Sequence, residues 1–135
     1  MGRTFETLTK NEILEINRRM IEEFGGFYLD FNNNLLNPSV LEHVLVEIES
    51  SIFEQDLYPE IIQKAGILAW RINAGHVFYD GNKRTSVEVC RLFLEINGFE
   101  LKLDVSIIDI AIKIARNEIS FQEFLYWLRN NIINL

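Results

Sequence analysis

The sequence predicts one all-α domain of about six helices, and three observations carry that prediction. Apolar residues recur at intervals of three and four through most of the chain, the spacing of a helix that buries one face. Helix punctuation brackets these runs: Thr9 with Glu12 and Ser120 with Glu123 open the first and the last, and Gly25-Gly26 and Asn97-Gly98 close the first and the fourth. At 135 residues, with 48% hydrophobic content, the chain is large enough for one core and too small for two.

The elements follow in order. The first helix runs from about Lys10 to Phe24, with Ile13, Ile16, Met20 and Phe24 inward and Gly25-Gly26 as its stop. The next stretch, Phe27-Tyr28-Leu29-Asp30-Phe31-Asn32-Asn33-Asn34-Leu35-Leu36, flanks an Asn cluster with aromatic and apolar residues. Asn tolerates positive φ, so this segment reads either as a small hairpin or as an irregular loop. Asn37-Pro38 opens the second helix, whose inward stripe is Leu41, Val44, Leu45, Ile48 and Ile52. The third helix begins near Tyr58-Pro59 and runs through Ile61, Ala65, Leu68, Ala69 and Ile72 to Ala74-Gly75.

A short irregular stretch from His76 to Gly81 leads into the fourth helix near Asn82, which presents Val87, Cys90, Phe93 and Leu94 and ends at Asn97-Gly98. Residues 105–116 carry two periods at once. Ile108, Ile110, Ile112 and Ile114 alternate as in a strand, whereas Ile107, Ala111 and Ile114 fit a helix. Asp104 supplies an N-cap and no partner strand lies nearby, so a helix is expected. The last helix starts at Ser120 and turns Phe121, Phe124, Leu125, Leu128 and Ile132 inward.

Bulk chemistry excludes several classes. Thirteen basic against twenty acidic residues give a net charge of −7, which opposes direct nucleic-acid binding. The single cysteine, Cys90, forms no internal disulfide, and with His43 and His76 as the two histidines a structural zinc site is not expected. No apolar run is long enough to span a bilayer, and Met1 to Glu6 has no signal-like segment, so a cytoplasmic location is expected.

The chemistry is concentrated in His76-Val77-Phe78-Tyr79-Asp80-Gly81-Asn82-Lys83-Arg84-Thr85, where a loop meets a helix N-terminus. First-turn amides lack intrahelical partners and carry partial positive charge, which favours phosphate. Gly81 lets the backbone approach closely. Asn82 caps the helix or bonds an oxyanion, Lys83 adds charge, and Arg84 grips phosphate oxygens bidentately. Asp80 suits Mg²⁺, which takes one or two carboxylates with phosphate and water oxygens. His76 is a side chain that accepts an alcohol proton near neutral pH. Together these residues point to transfer of a phosphorus group from a nucleotide to a hydroxyl. A P-loop is excluded, because Asn82 and Arg84 break the G-K-[ST] ending and a helix, not a strand, precedes it.

This ten-residue segment resembles the signature of Fic-fold proteins, H-P-F-x-[DE]-G-N-G-R-x-x-R, in its His76, Phe78, Asp80, Gly81, Asn82 and Arg84. Val77 replaces the Pro, Lys83 the second Gly and Val87 the final Arg. The last two departures are typical of the death-on-curing (Doc) branch, H-x-F-x-D-x-N-K-R-T. Glu22-Glu23-Phe24-Gly25-Gly26, Val40-Leu41-Glu42, Leu57-Tyr58-Pro59 and Phe93 to Gly98 are similar to further Doc landmarks, so the resemblance covers roughly residues 8–132 of a single domain.

The resemblance implies a Fic-fold helical bundle with a small β-hairpin flap at about 27–36. Most Fic proteins transfer AMP, whereas the Doc pattern implies ATP bound in the reverse sense and transfer of its terminal phosphate to a Ser/Thr hydroxyl of a protein, with a translation elongation factor as target. By matched position, His76 is the base, Asp80 the Mg²⁺ ligand, Gly81, Asn82, Lys83 and Arg84 the phosphate site, and Phe78 the anchor of the loop in the core. Phe27, Tyr28, Leu29, Asp30 and Phe31 fall where the family docks its target. The family's inhibitory pattern, [ST]-x-x-x-E-[GN], fails at Ser50 to Glu54 because Gln55 follows. Inhibition in trans by a small antitoxin is the expectation. AMP transfer and a non-catalytic binding module are the rival functions.

Overall fold

The computed structural model describes residues 4–52 and 55–135. Six helices form the body: α1 (Lys10–Phe24), α2 (Pro38–Glu47), α3 (Ile61–Ala74), α4 (Asn82–Glu95), α5 (Ser106–Ala115) and α6 (Phe121–Arg129). Two small antiparallel pairs accompany them: β1 (Ser51–Ile52) with β2 (Gln55–Asp56), and β3 (Phe99–Leu101) with β4 (Ile132–Asn134). The expected helical bundle with a minor β component is what forms. Among the described residues no helix is long and apolar enough to cross a membrane.

Both capping boxes form as the sequence dictates. Thr9 and Glu12 exchange side chain and backbone at the start of α1, and Ser120 and Glu123 do so at α6. Residues 106–115 are helical, and Ile107, Ala111 and Ile114 are the ones buried. The alternating isoleucines are therefore the by-product of an apolar-rich helix.

Several boundaries differ from the sequence expectation. The hairpin expected at 27–36 does not form. Asp30–Asn32 is a 3-10 turn, and Asn33 and Asn34 follow at φ +56° and +63°. Two successive left-handed residues reverse the chain within itself, so its strand-like pairing is made outward, as a bridge from Leu35 to Phe78. Helix α2 stops at Glu47, and Ile52 lies in β1 rather than on its stripe. Likewise α6 stops at Arg129, and Ile132 lies in β4 against Leu101. Glu54, the end of the tested inhibitory spacing, is outside the described residues.

The core is centred on α3 and α4, the most extensively packed helix pair. Leu68, Ile72, Val89, Phe93 and Leu94 of these helices are buried with Ile13 and Ile16 of α1 and Leu128 of α6. Polar side chains lock the edges. Lys64, almost wholly buried, donates to the carbonyls of Ile48 and Tyr58 and so holds the β1–β2 excursion against α3. The Asn73 amide donates to the Ala111 carbonyl, joining α3 to α5. Arg129 forms a fork with Glu60, the residue that precedes α3, and holds that carboxyl below its usual range.

Cys90 sits on the buried face of α4, and burial pushes its thiol up to about 12. The unfolded thiol ionises from about pH 8.5, so the native state alone keeps its proton between those values. Its contribution to stability is therefore complete below about pH 8.5 and declines as pH rises, by up to about 1.4 kcal/mol per unit. Urea unfolding between pH 8 and 11 should show a shallower alkaline decline in Cys90→Ala than in the wild type.

Candidate active site

The site is built where α3 breaks and α4 begins. Gly75 follows α3, and His76 then takes φ +49°, a left-handed conformation uncommon for a residue with a side chain. Asn37 holds the chain there, its amide donating to the carbonyls of Gly75 and His76 at 3.1 and 2.8 Å. The amides of Leu36 and Asn37 donate to Val77, and the Tyr79 amide donates to Asn34. Residues 34–37 thus run beside the 76–79 loop as a short backbone splint. Val77 and Phe78, the latter the residue expected to anchor the loop, are fully buried.

His76 is exposed, and its Nδ1 lies 3.1 Å from the Ala74 carbonyl. A carbonyl only accepts, so Nδ1 must carry the proton. In the uncharged form of the ring the lone pair is then on Nε2, the atom turned away from that contact and the one a general base would use.

Asp80 is exposed, and each of its carboxylate oxygens accepts one backbone N–H: Oδ1 from Gly81 at 2.8 Å and Oδ2 from Phe27 at 2.9 Å. These bonds fix the carboxylate while each oxygen keeps a free lone pair. The close approach needs Gly26, where a Cβ would stand 2.9 Å from Asp80 Oδ2 and 2.8 Å from the Ile21 side chain. Gly81, at φ +77°, is held as closely, since a Cβ there would meet Ile21 at 2.8 Å.

Asn82 has a different side-chain role from the one expected. Its Oδ1 accepts the Phe78 N–H at 2.9 Å and its Nδ2 donates to the Phe78 carbonyl at 2.7 Å. The side chain is engaged with the loop through one N–H and its oxygen, which leaves the backbone amide and the second side-chain N–H for an anion. Because Asn82 turns back and Gly81 has no side chain, no side-chain cap covers the start of α4. The first-turn amides of Asn82, Lys83 and Arg84 stay open.

Lys83 and Arg84 are exposed on that turn and form no ion pair with a carboxylate among the described residues. The Arg84 guanidinium instead lies 4.0 Å over the Phe24 ring. Phe24 was expected inward but is half exposed, serving as a shelf for Arg84. Both cations line a groove of about 710 Å³ whose other walls include Phe24, Val87, Leu103 and Ile108. That volume is in the range of small-molecule sites. His76 is not among its lining residues.

The described residues contain no cluster of three or more His, Cys, Asp or Glu. Asp80 is a single carboxylate beside the open start of α4, a donor set suited to a hard cation that brings phosphate and water oxygens with it. Phe27 and Phe31 of the expected docking segment are 59% and 82% exposed, Tyr79 of the motif is half exposed, Tyr28 and Leu29 are partly buried, and Asp30 is exposed.

Comparison with known proteins identifies the family. A profile of the Fic/DOC family matches residues 7–94, which contain the loop, both flanking helices and α1. The chain belongs to the Fic/DOC family. A Mycolicibacterium smegmatis protein named Toxin Doc is 31% identical over 68 residues, which is 50% of this chain and 52% of that protein. The chain thus spans about half the length of that relative. A protein of Escherichia phage P1, named Protein kinase doc, is 21% identical over 122 residues, covering 90% of this chain and 92% of that protein. Both relatives bear the Doc name, which supports the Doc branch of the family.

Sequence reasoning missed two residues of this Fic/DOC site, Asn17 and Asn34, which are fully buried behind Asp80. The signal for Asn17 was available: it is a polar residue on the apolar stripe of α1, between Ile13 and Met20. Asn34 carried no such mark within its run of three asparagines.

Two stability predictions follow from the loop. Asn82→Ala removes both bonds to Phe78 and should cost about 1–3 kcal/mol in urea unfolding. His76→Gly relieves the left-handed strain that His76→Ala retains, so it should be more stable than the Ala variant by about 1 kcal/mol in the same assay.

Proposed function

We propose that this protein is a Doc-type toxin that transfers the terminal phosphate of ATP to a Ser or Thr hydroxyl of a target protein. The observation that carries this reading is the pairing of a base-ready imidazole with an uncapped, cationic helix N-terminus across one six-residue loop. The open amides of α4, with Lys83 and Arg84, bind the triphosphate. Replacement of the second motif glycine by Lys83 and of the last arginine by Val87 favours the reversed nucleotide, which presents its terminal phosphate. His76 Nε2 takes the proton of the incoming hydroxyl. The hydroxyl oxygen bonds to the γ-phosphorus, the bond from that phosphorus to the β–γ bridging oxygen breaks, and ADP leaves. Asp80 holds Mg²⁺, which when bound neutralises charge on the phosphate oxygens.

The exposed aromatic residues Phe27, Phe31 and Tyr79 offer a docking surface for the target's segment, and a translation elongation factor is the target that the Doc pattern suggests. A small antitoxin acting in trans is the corresponding inhibitor. A toxin of this type acts in the cytoplasm, where ATP and the translation machinery are found.

Incubation with γ-labelled or α-labelled ATP and cell extract should place the γ label alone on a protein. Transfer of the α label would show AMP transfer instead. His76→Ala should lower the transfer rate by about 10²–10⁴ and relieve growth arrest without unfolding the protein. Undiminished arrest by that variant would leave binding as the mechanism.

A further inference from the structure

Behind Asp80 the two missed asparagines form a chain of amides that joins three parts of the molecule. Asn17 Nδ2, from α1, donates to the Asp80 carbonyl and to Thr85 Oγ1, both at 3.0 Å. Asn17 Oδ1 accepts from Asn34 Nδ2 at 3.1 Å. Asn34 Oδ1 accepts the Leu29 N–H at 3.0 Å, while the Asn34 main chain donates to Leu29 and accepts from Tyr79.

The polarity of this chain has one consistent solution. The Asp80 carbonyl only accepts, so the Asn17 atom facing it must be nitrogen. The Leu29 amide only donates, so the Asn34 atom facing it must be oxygen. The remaining oxygen of Asn17 and nitrogen of Asn34 then face each other as acceptor and donor. Asn17 and Asn34 are 0% and 0% exposed, where an unmatched amide is costly. A left-handed φ of +63° at Asn34 aims its side chain inward, and asparagine tolerates that conformation.

We propose that Asn17 and Asn34 are positioning residues that make Asp80 and the 27–31 docking segment one mechanical unit. The proposal rests on the functional reading given to both sites above. Asp80 is bound to the segment twice over: through its carboxylate to the Phe27 amide, and through its carbonyl by way of Asn17 and Asn34 to the Leu29 amide. A target strand that steadies residues 27–31 thereby steadies the carboxylate that faces the phosphates. By reciprocity, a ligand that steadies Asp80 favours the docking-ready segment. Neither asparagine needs to touch substrate for this.

The test is Asn34→Gly, which keeps the left-handed backbone and deletes the amide, with Thr85→Val as a milder variant that removes one acceptor of Asn17 without changing shape. Amide hydrogen exchange followed by NMR is the readout. In Asn34→Gly, exchange at Phe27, Leu29 and Gly81 should accelerate by at least about tenfold, while Leu125 and Leu128 of α6 stay within about twofold of wild type. Thr85→Val should accelerate Phe27 and Gly81 by about threefold. In the transfer assay both variants should need more Mg²⁺ for half-maximal rate, with a smaller change in KM for ATP at saturating Mg²⁺. Unchanged exchange at Phe27 and Gly81, or an equal acceleration throughout the molecule, would overturn the proposal. If the wild type transfers no phosphate, the functional reading fails, and the exchange pattern still decides the linkage.

Discussion

The arrangement depends on the two hydrogen bonds between the Asn82 side chain and the backbone of Phe78. They close a tight loop over a fully buried aromatic ring, so the loop is pinned both to the core and to the first turn of α4. The same bonds determine what α4 offers to solvent. An asparagine at the start of a helix ordinarily covers first-turn amides. Here it faces backwards, Gly81 precedes it without a side chain, and the helix start stays available to an anion. One residue therefore stiffens the loop and leaves the charge-binding end of the helix open.

Electrostatics reinforce that placement. The chain is acidic overall, with a net charge of −7, yet most of its basic side chains are in ion pairs with nearby carboxylates, as in Arg91 with Glu88 and Glu95 or Arg129 with Glu60. Among the described residues Lys83 and Arg84 have no such partner, and Phe24 supports Arg84 without neutralising it. A global excess of acid thus coexists with a local cationic turn. Salt will weaken any attraction between that exposed turn and a distant phosphate more than the contacts made once the phosphate is seated.

The glycines and asparagines around Asp80 explain how a polar site is held so close to an apolar core. Gly26 and Gly81 remove the Cβ atoms that would separate the carboxylate and loop from Ile21. Asn17 then satisfies the Asp80 carbonyl where water would otherwise be required. Left-handed backbone at His76 and Asn34 occurs on both sides of this network, where the splint of residues 34–37 holds the chain in place.

The helices, their capping boxes and the ten-residue motif were legible in the sequence, because each depends on residues within one or two turns of one another. The same locality made His76 and Asp80 recognisable as chemical groups. Their surroundings were not legible: the contact of His76 Nδ1 with the Ala74 carbonyl, the backward-facing Asn82 and the tether from Asp80 to Phe27 all depend on where backbone carbonyls and amides arrive. The strands at Phe99–Leu101 and Ile132–Asn134 were hidden for the same reason, since three-residue strands acquire meaning only from a partner about thirty residues away. Likewise, the asparagine run at 32–34 specified left-handed turning but not its outcome, and packing against Asn17 and the 76–79 loop decided that one of those amides would be buried. Sequence by itself determined the helical bundle and the residue types gathered in the candidate site. Tertiary structure decided which polar atoms remain free to react, because hydrogen-bond partners far apart in the chain meet only when the core closes.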